Sequence, residues 1–286
     1  MAASQVMTER APRGTLGAMD VVEAWTADLR DVLGGEAPVV ADVRVGVFYT
    51  AALLATGEAG VAFTPRELAE TVCCPRTAAA APRAGRLAGS PAWALAEEAL
   101  APVALRRAVG VAVLNALSAR AVDRVGLPAG RLLPGADALD AAGVEPTDCV
   151  AMVGAFVPFI KALEGRVRDL RIVDKHPEAL KPDERPLWRA PAEAAETLAA
   201  ASVVIVTGSV LVEGGLDALL GAARDARAVV LAGPTAPVWP RPFFARGVDV
   251  LGGIRVLDGA ALLRVVGEGG SGYFFDGVAE KVAVVR

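Results

Sequence analysis

The strongest constraint on the fold lies in the second half of the chain, where short apolar runs alternate with helical stretches at a regular spacing. Strands are expected over 149–153, 170–173, 203–206 and 228–231, with helices over 156–164, 191–200 and 216–223 between them. A strand, a crossover helix and another strand, repeated, make a mostly parallel, doubly wound sheet. The composition suits this arrangement. Hydrophobic residues are 54% of the chain but aromatics only 5%, so the core is built from Val in strands and Ala and Leu in helices.

The first half reads differently. Residues 20–33 carry apolar side chains at helical spacing and stop at Gly34-Gly35. Over 39–49, Val43, Val45 and Val47 alternate with Asp42, Arg44 and Gly46, and 60–64 supplies the second strand of a β-hairpin. Pro65 opens a short helix, 74–91 is an exposed loop, and helices follow over 92–100 and 102–121. The second of these has little charge and is expected to be buried between layers, with Asn115 as a polar group inside it. The Gly- and Pro-rich stretch 125–143 separates the two patterns. The expected organisation is a disordered tail over 1–16, a smaller α+β domain over 17–125 and a larger α/β domain over 140–286.

Several functional classes are disfavoured. The net charge is −4 and the arginines are interspersed with acids, which provides no footprint for nucleic acid. No stretch reaches the roughly 18 to 20 apolar residues needed to span a bilayer, and residues 1–13 lack the apolar core of a secretory signal. Three cysteines, Cys73, Cys74 and Cys149, cannot all pair, so a reduced, cytoplasmic setting is expected, and a homo-oligomer is compatible with it.

In a parallel sheet, ligands bind beyond the carboxyl ends of the strands. Gly154 lies about 20 residues before Asp174, the separation at which an acidic side chain meets a ribose in dinucleotide sites. Only one glycine stands where that fingerprint has three, so a tight turn at Gly154 is the competing reading. Thr207-Gly208-Ser209 presents a hydroxyl and backbone N–H groups, either to an anion or as ordinary turn chemistry. In Gly233-Pro234-Thr235-Ala236-Pro237, two prolines stiffen the loop and fix the direction of Thr235. His176 is the sole histidine, so a site of several imidazoles is excluded. It serves as an acid/base group, a ligand or an exposed loop residue. Cys73-Cys74 lacks the usual spacer between metal-binding thiols. Asn115 either caps a neighbouring loop or reaches a cleft between the domains.

Four runs together resemble a known family: Val109-Gly110-Val111-Ala112-Val113-Leu114-Asn115-Ala116-Leu117, Met152-Val153-Gly154-Ala155-Phe156-Val157-Pro158, Thr207 to Asp217, and Gly233 to Pro237. They are similar to the "putative heavy-metal chelation" family, and the likeness runs from about Asp20 onward. It implies an enolase-N-terminal-like domain followed by a Rossmann-like domain, and binding of a heavy metal or metal complex where the two meet. Asp174-Lys175-His176 stands where that family's pattern has a Glu-Arg pair, and Glu213 where it has Asn. On this reading Asp174, His176 and Glu213 are the candidate ligands of a divalent metal ion. Asn115 closes the cleft from the other domain, beside Phe156 and Pro234. The alternative is an enzyme acting on a small chelator-like molecule with a nucleotide or adenosyl cofactor held by Gly154, Asp174, Thr207, Gly208 and Thr235.

Overall fold

Asp20 starts the first helix, α1 (Val21–Leu33), by accepting the Val22 N–H at 2.7 Å while Glu23 accepts the Asp20 N–H at 3.1 Å. Two donors at the helix start are thereby satisfied, and Gly34, with φ of 75°, ends the helix. The computed structural model describes residues 19–35, 38–65 and 83–286. The expected tail over 1–16, the Cys73-Cys74 pair, the helix following Pro65 and part of the 74–91 loop lie outside them.

After α1 come β1 (Val40–Val45), β2 (Tyr49–Leu54) and β3 (Ala59–Phe63), an antiparallel sheet in that order. The hairpin expected from sequence is therefore a three-stranded sheet. The run over 39–49 breaks at Gly46, which donates to the Tyr49 carbonyl at 2.9 Å, and a new strand begins. That strand does not alternate because Ala51, Ala52 and Leu54 are all buried.

Then follow α2 (Ala92–Ala96), a 3-10 turn (Glu97–Leu100) and α3 (Ala104–Val125). α3 is buried along most of its length between the small sheet and a larger one, as its apolar composition predicts. Two glycines permit that closeness. A Cβ on Gly60 would run into the α3 backbone at Ala112 and Ala116, and one on Gly110 into the Ala99 backbone.

The larger sheet comprises β4 (Arg131–Pro134), β5 (Cys149–Val153), β6 (Asp169–Val173), β7 (Trp188–Arg189), β8 (Val203–Thr207), β9 (Ala228–Ala232), β10 (Val250–Val256) and β11 (Ala279–Val285). Its order is β4-β11-β10-β9-β8-β5-β6-β7, parallel from β10 to β7 and antiparallel across β10, β11 and β4. The protein is thus a mixed α/β molecule with a large, mostly parallel sheet and a small antiparallel one. The helices are α4 (Ala138–Ala141), α5 (Val157–Leu163), α6 (Ala194–Ala199), α7 (Val210–Glu213), α8 (Leu216–Ala222), α9 (Arg241–Phe244) and α10 (Gly259–Gly267). Strand alternation divides the core. Val204 and Val206 face α3 and its neighbours, whereas Val203 and Ile205 face Ile160 and Leu163 of α5.

β10, β11, α10 and the short β7 are absent from the sequence reading, as is β4 within 125–143. β10 contains Gly252-Gly253, which lowers its strand signal. Those glycines are required because a Cβ on Gly252 would strike the Ala138 side chain, and one on Gly253 the Ala236 carbonyl. β4 is a four-residue edge strand ending in Pro, a position where proline is tolerated. Among the described residues no helix is long and apolar enough to cross a membrane.

At the amino ends of β5, β8 and β9, Asp148 ties three segments together. It accepts from Ser202 Oγ at 2.8 Å, the Glu145 N–H at 2.7 Å and Arg227 Nε at 2.9 Å. The Arg227 guanidinium, outweighing burial, holds the Asp148 carboxyl at about 2, below its ordinary value near 3.8. A depressed carboxylate stabilises the fold above its unfolded pKa, and that contribution disappears as pH falls through the folded value. Asp148→Asn is therefore expected to cost about 2 kcal/mol at pH 7. In urea titrations the gap to wild type should close between about pH 4 and pH 2; a gap independent of pH would contradict this role.

Candidate functional site

The site is organised by the loop after β9. Gly233 has φ of 107°, a conformation that side chains rarely adopt, and the Phe156 ring lies over it, 3.5 Å from where a Cβ would be. Thr235 follows, buried. Its Oγ1 accepts the Phe63 N–H of β3 at 2.9 Å, and its carbonyl accepts from Asn115 Nδ2 of α3 at 3.0 Å. The second Nδ2 proton of Asn115 goes to the Val61 carbonyl of β3 at 2.8 Å. One amide thus joins the small sheet, the buried helix and the loop after β9.

That pairing also settles which way the amide points. Both partners are carbonyl oxygens, which only the NH₂ group can satisfy, so Oδ1 is turned away from them. Asn115 is 9% exposed and lines a cavity of 290 Å³ between the two sheets, and among the described residues its Oδ1 has no hydrogen-bond donor. Val61, Pro234, Ile254 and Leu132 supply apolar wall, while Glu58, Asp123 and Arg255 supply charge. Glu58 is paired with Arg120 at 2.9 Å. Burial pushes its carboxyl up, but hydrogen bonds from Thr56, its own backbone N–H and Arg120 outweigh this and hold it below the ordinary range. Arg255 is paired with Glu280 across β10 and β11.

The residues expected at the strand ends form a packed series that holds Thr235. Gly154 leaves room for Thr207, whose methyl lies 3.0 Å from a Cβ placed there, and Thr207 Oγ1 accepts the Ser209 N–H at 3.3 Å. Gly208 lies against the Thr235–Ala236 peptide, where a Cβ would come within 2.7 Å of the Ala236 nitrogen. Asp174 closes two loops, because its carboxylate accepts the Ala155 N–H at 2.9 Å and the His176 N–H at 2.8 Å. A ribose at Asp174 would have to compete with these backbone donors.

Asp174, His176 and Glu213 are not brought together as a metal centre. Among the described residues no three His, Cys, Asp or Glu side chains are grouped to hold a metal ion. Each of the three has a partner of its own. Asp174 is committed to backbone N–H groups, exposed His176 has Nδ1 2.9 Å from Glu178 Oε1, and Glu213 lies 3.3 Å from Lys175 Nζ. Cys149 heads β5, where Arg168 donates to its sulfur at 2.9 Å. Of the residues singled out from sequence, Asn115 and Pro234 line the cavity, and Thr235 braces it from behind. Glu58, Asp123 and Arg255 were missed. Glu58 follows a turn glycine and Arg255 lies on the unrecognised β10, and neither carries a motif.

The fold defines a two-sheet α/β protein with a cavity of 290 Å³ lined from both sheets. The chain belongs to the family described as "Putative heavy-metal chelation": one family model of that description matches residues 137–285 and a second matches 29–118. Two crystal structures of proteins with unknown function from the DUF364 family share the fold. The one from Desulfitobacterium hafniense is 20% identical, with a TM-score of 0.72 over 93% of this chain and 98% of that one. The one from Pyrococcus horikoshii is 17% identical, with a TM-score of 0.71 over 93% of this chain and all of the other (100%). No curated protein matches the chain.

Proposed function

We propose that the chain binds a metal already held by a small organic chelator, as cargo, in the cavity beside Asn115. The observation that carries this reading is the unspent Oδ1 of a buried, doubly anchored amide facing a 290 Å³ space. An acceptor fixed in this way recognises a ligand donor without reorganising, and the space is close in size to small-ligand pockets. A bare ion would need several converging donors, and the described residues do not group them. A chelate brings its own donors and asks the protein only for shape and outer hydrogen bonds. The metal is therefore carried, and the organic part is what the protein recognises.

Native mass spectrometry of the purified protein, paired with metal analysis, tests the reading. The expected result is an organic mass and a metal in equal amounts, released together on unfolding. Metal retained one per chain with no organic partner would overturn it, as would a protein recovered with neither that also retains no chelate on dialysis.

A further inference from the structure

We infer that the chelator is of the amine type, a cationic complex whose metal-bound nitrogens keep N–H groups, and that Asn115 Oδ1 and Asp123 receive those groups. This rests on the proposed function and specifies the ligand's chemistry. The side chains around the cavity divide clearly. Glu58 is committed to Arg120 and Thr56, and Arg255 directs Nε and a terminal nitrogen at Glu280. These pairs cancel in charge. Two acceptors remain: Oδ1 of Asn115, a residue 9% exposed, and the Asp123 carboxylate, which among the described residues has neither an ion pair nor a hydrogen bond.

Asn115 and Asp123 lie on the same helix, eight residues apart by their numbers, so both project toward the cavity about two turns from one another. A carboxylate chelator would present oxygens to these oxygens, and the only charged donors it could reach in the cavity wall are the Arg255 N–H groups that Glu280 leaves over. An amine nitrogen bound to a metal has spent its lone pair but retains its protons, and the metal's charge makes those protons stronger donors. The positive charge of the whole complex is balanced by Asp123. The apolar wall of Val61, Ile254 and Leu132 accepts the methylene bridges that link the nitrogens.

Equilibrium dialysis of the full chain against copper(II)–triethylenetetramine, copper(II)–nitrilotriacetate and copper(II) alone tests the inference. The amine complex is expected to bind about tenfold more tightly than the carboxylate complex, the scale of a hydrogen bond to a charged group. Asp123→Asn, at an exposed position compatible with folding, should weaken the amine complex by about threefold and leave the anionic carboxylate complex no weaker. Equal or tighter binding of the nitrilotriacetate complex would overturn the amine assignment and leave the chelate reading standing. Uptake of copper(II) alone with neither complex retained, or no uptake of any probe, would overturn both.

Discussion

Asn115→Asp is expected to destabilise the protein by about 4 kcal/mol near neutral pH, the largest effect of any substitution at the site. The wild-type amide donates to the Val61 and Thr235 carbonyls at 2.8 and 3.0 Å. A carboxylate can donate to neither, so two buried acceptors lose their partners at about 1 to 3 kcal/mol each. The new charge also faces two carbonyl oxygens in a buried position, which raises its folded pKa above the unfolded value near 4. Such a group favours folding where it is protonated, so the penalty grows as pH rises through the interval between the two values and shrinks below it. Urea unfolding at pH 7 and pH 4 reads this directly. A variant as stable as wild type at both pH values would show that the amide does not hold the sheets together.

Gly60→Ala comes next, at about 3 kcal/mol, the upper end of overpacking costs. The added methyl would meet the Ala112 carbonyl oxygen, the Ala116 nitrogen and the Asn115 carbonyl carbon, all backbone atoms of α3 that no rotamer change can move. β3 and α3 must separate, and Val61, the next residue, moves away from the Asn115 amide. Stability and ligand retention should therefore fall together. Gly35→Ala is the control, since a Cβ there meets nothing within 4 Å. It is expected to change stability by less than about 0.5 kcal/mol. Equal effects at the two positions would refute the close-approach argument.

The site was only partly legible from the sequence. Asn115 was conspicuous as an amide inside an apolar helix, and Thr235 as a residue fixed between prolines; the structure joins these two residues. Asp174 and His176 stand out as polar residues after a strand and Glu213 through the family resemblance, yet backbone caps and neighbouring charges occupy them. Residue type at a strand end indicates which groups are available for chemistry, but not which of them the local turn has already used. The strand with Gly252-Gly253 was overlooked for a related reason. Those glycines answer to Ala138 and Ala236, which lie far from them in the chain, and local propensity contains no such information.

The sequence by itself determined the alternation of strand and helix from Cys149 to Ala232, the burial of the apolar helix around Asn115, and the stiff loop at Pro234. Each of these follows from periodicity or from the backbone limits of Gly and Pro, which act within a few residues. Only the tertiary structure decided that Asn115 bonds across 54 residues to Val61 and across 120 to Thr235. It also decided that Glu58, Asp123 and Arg255 share one cavity. A hydrophobic pattern specifies which face of an element is buried, whereas the partner of a buried polar group is chosen by how the layers stack.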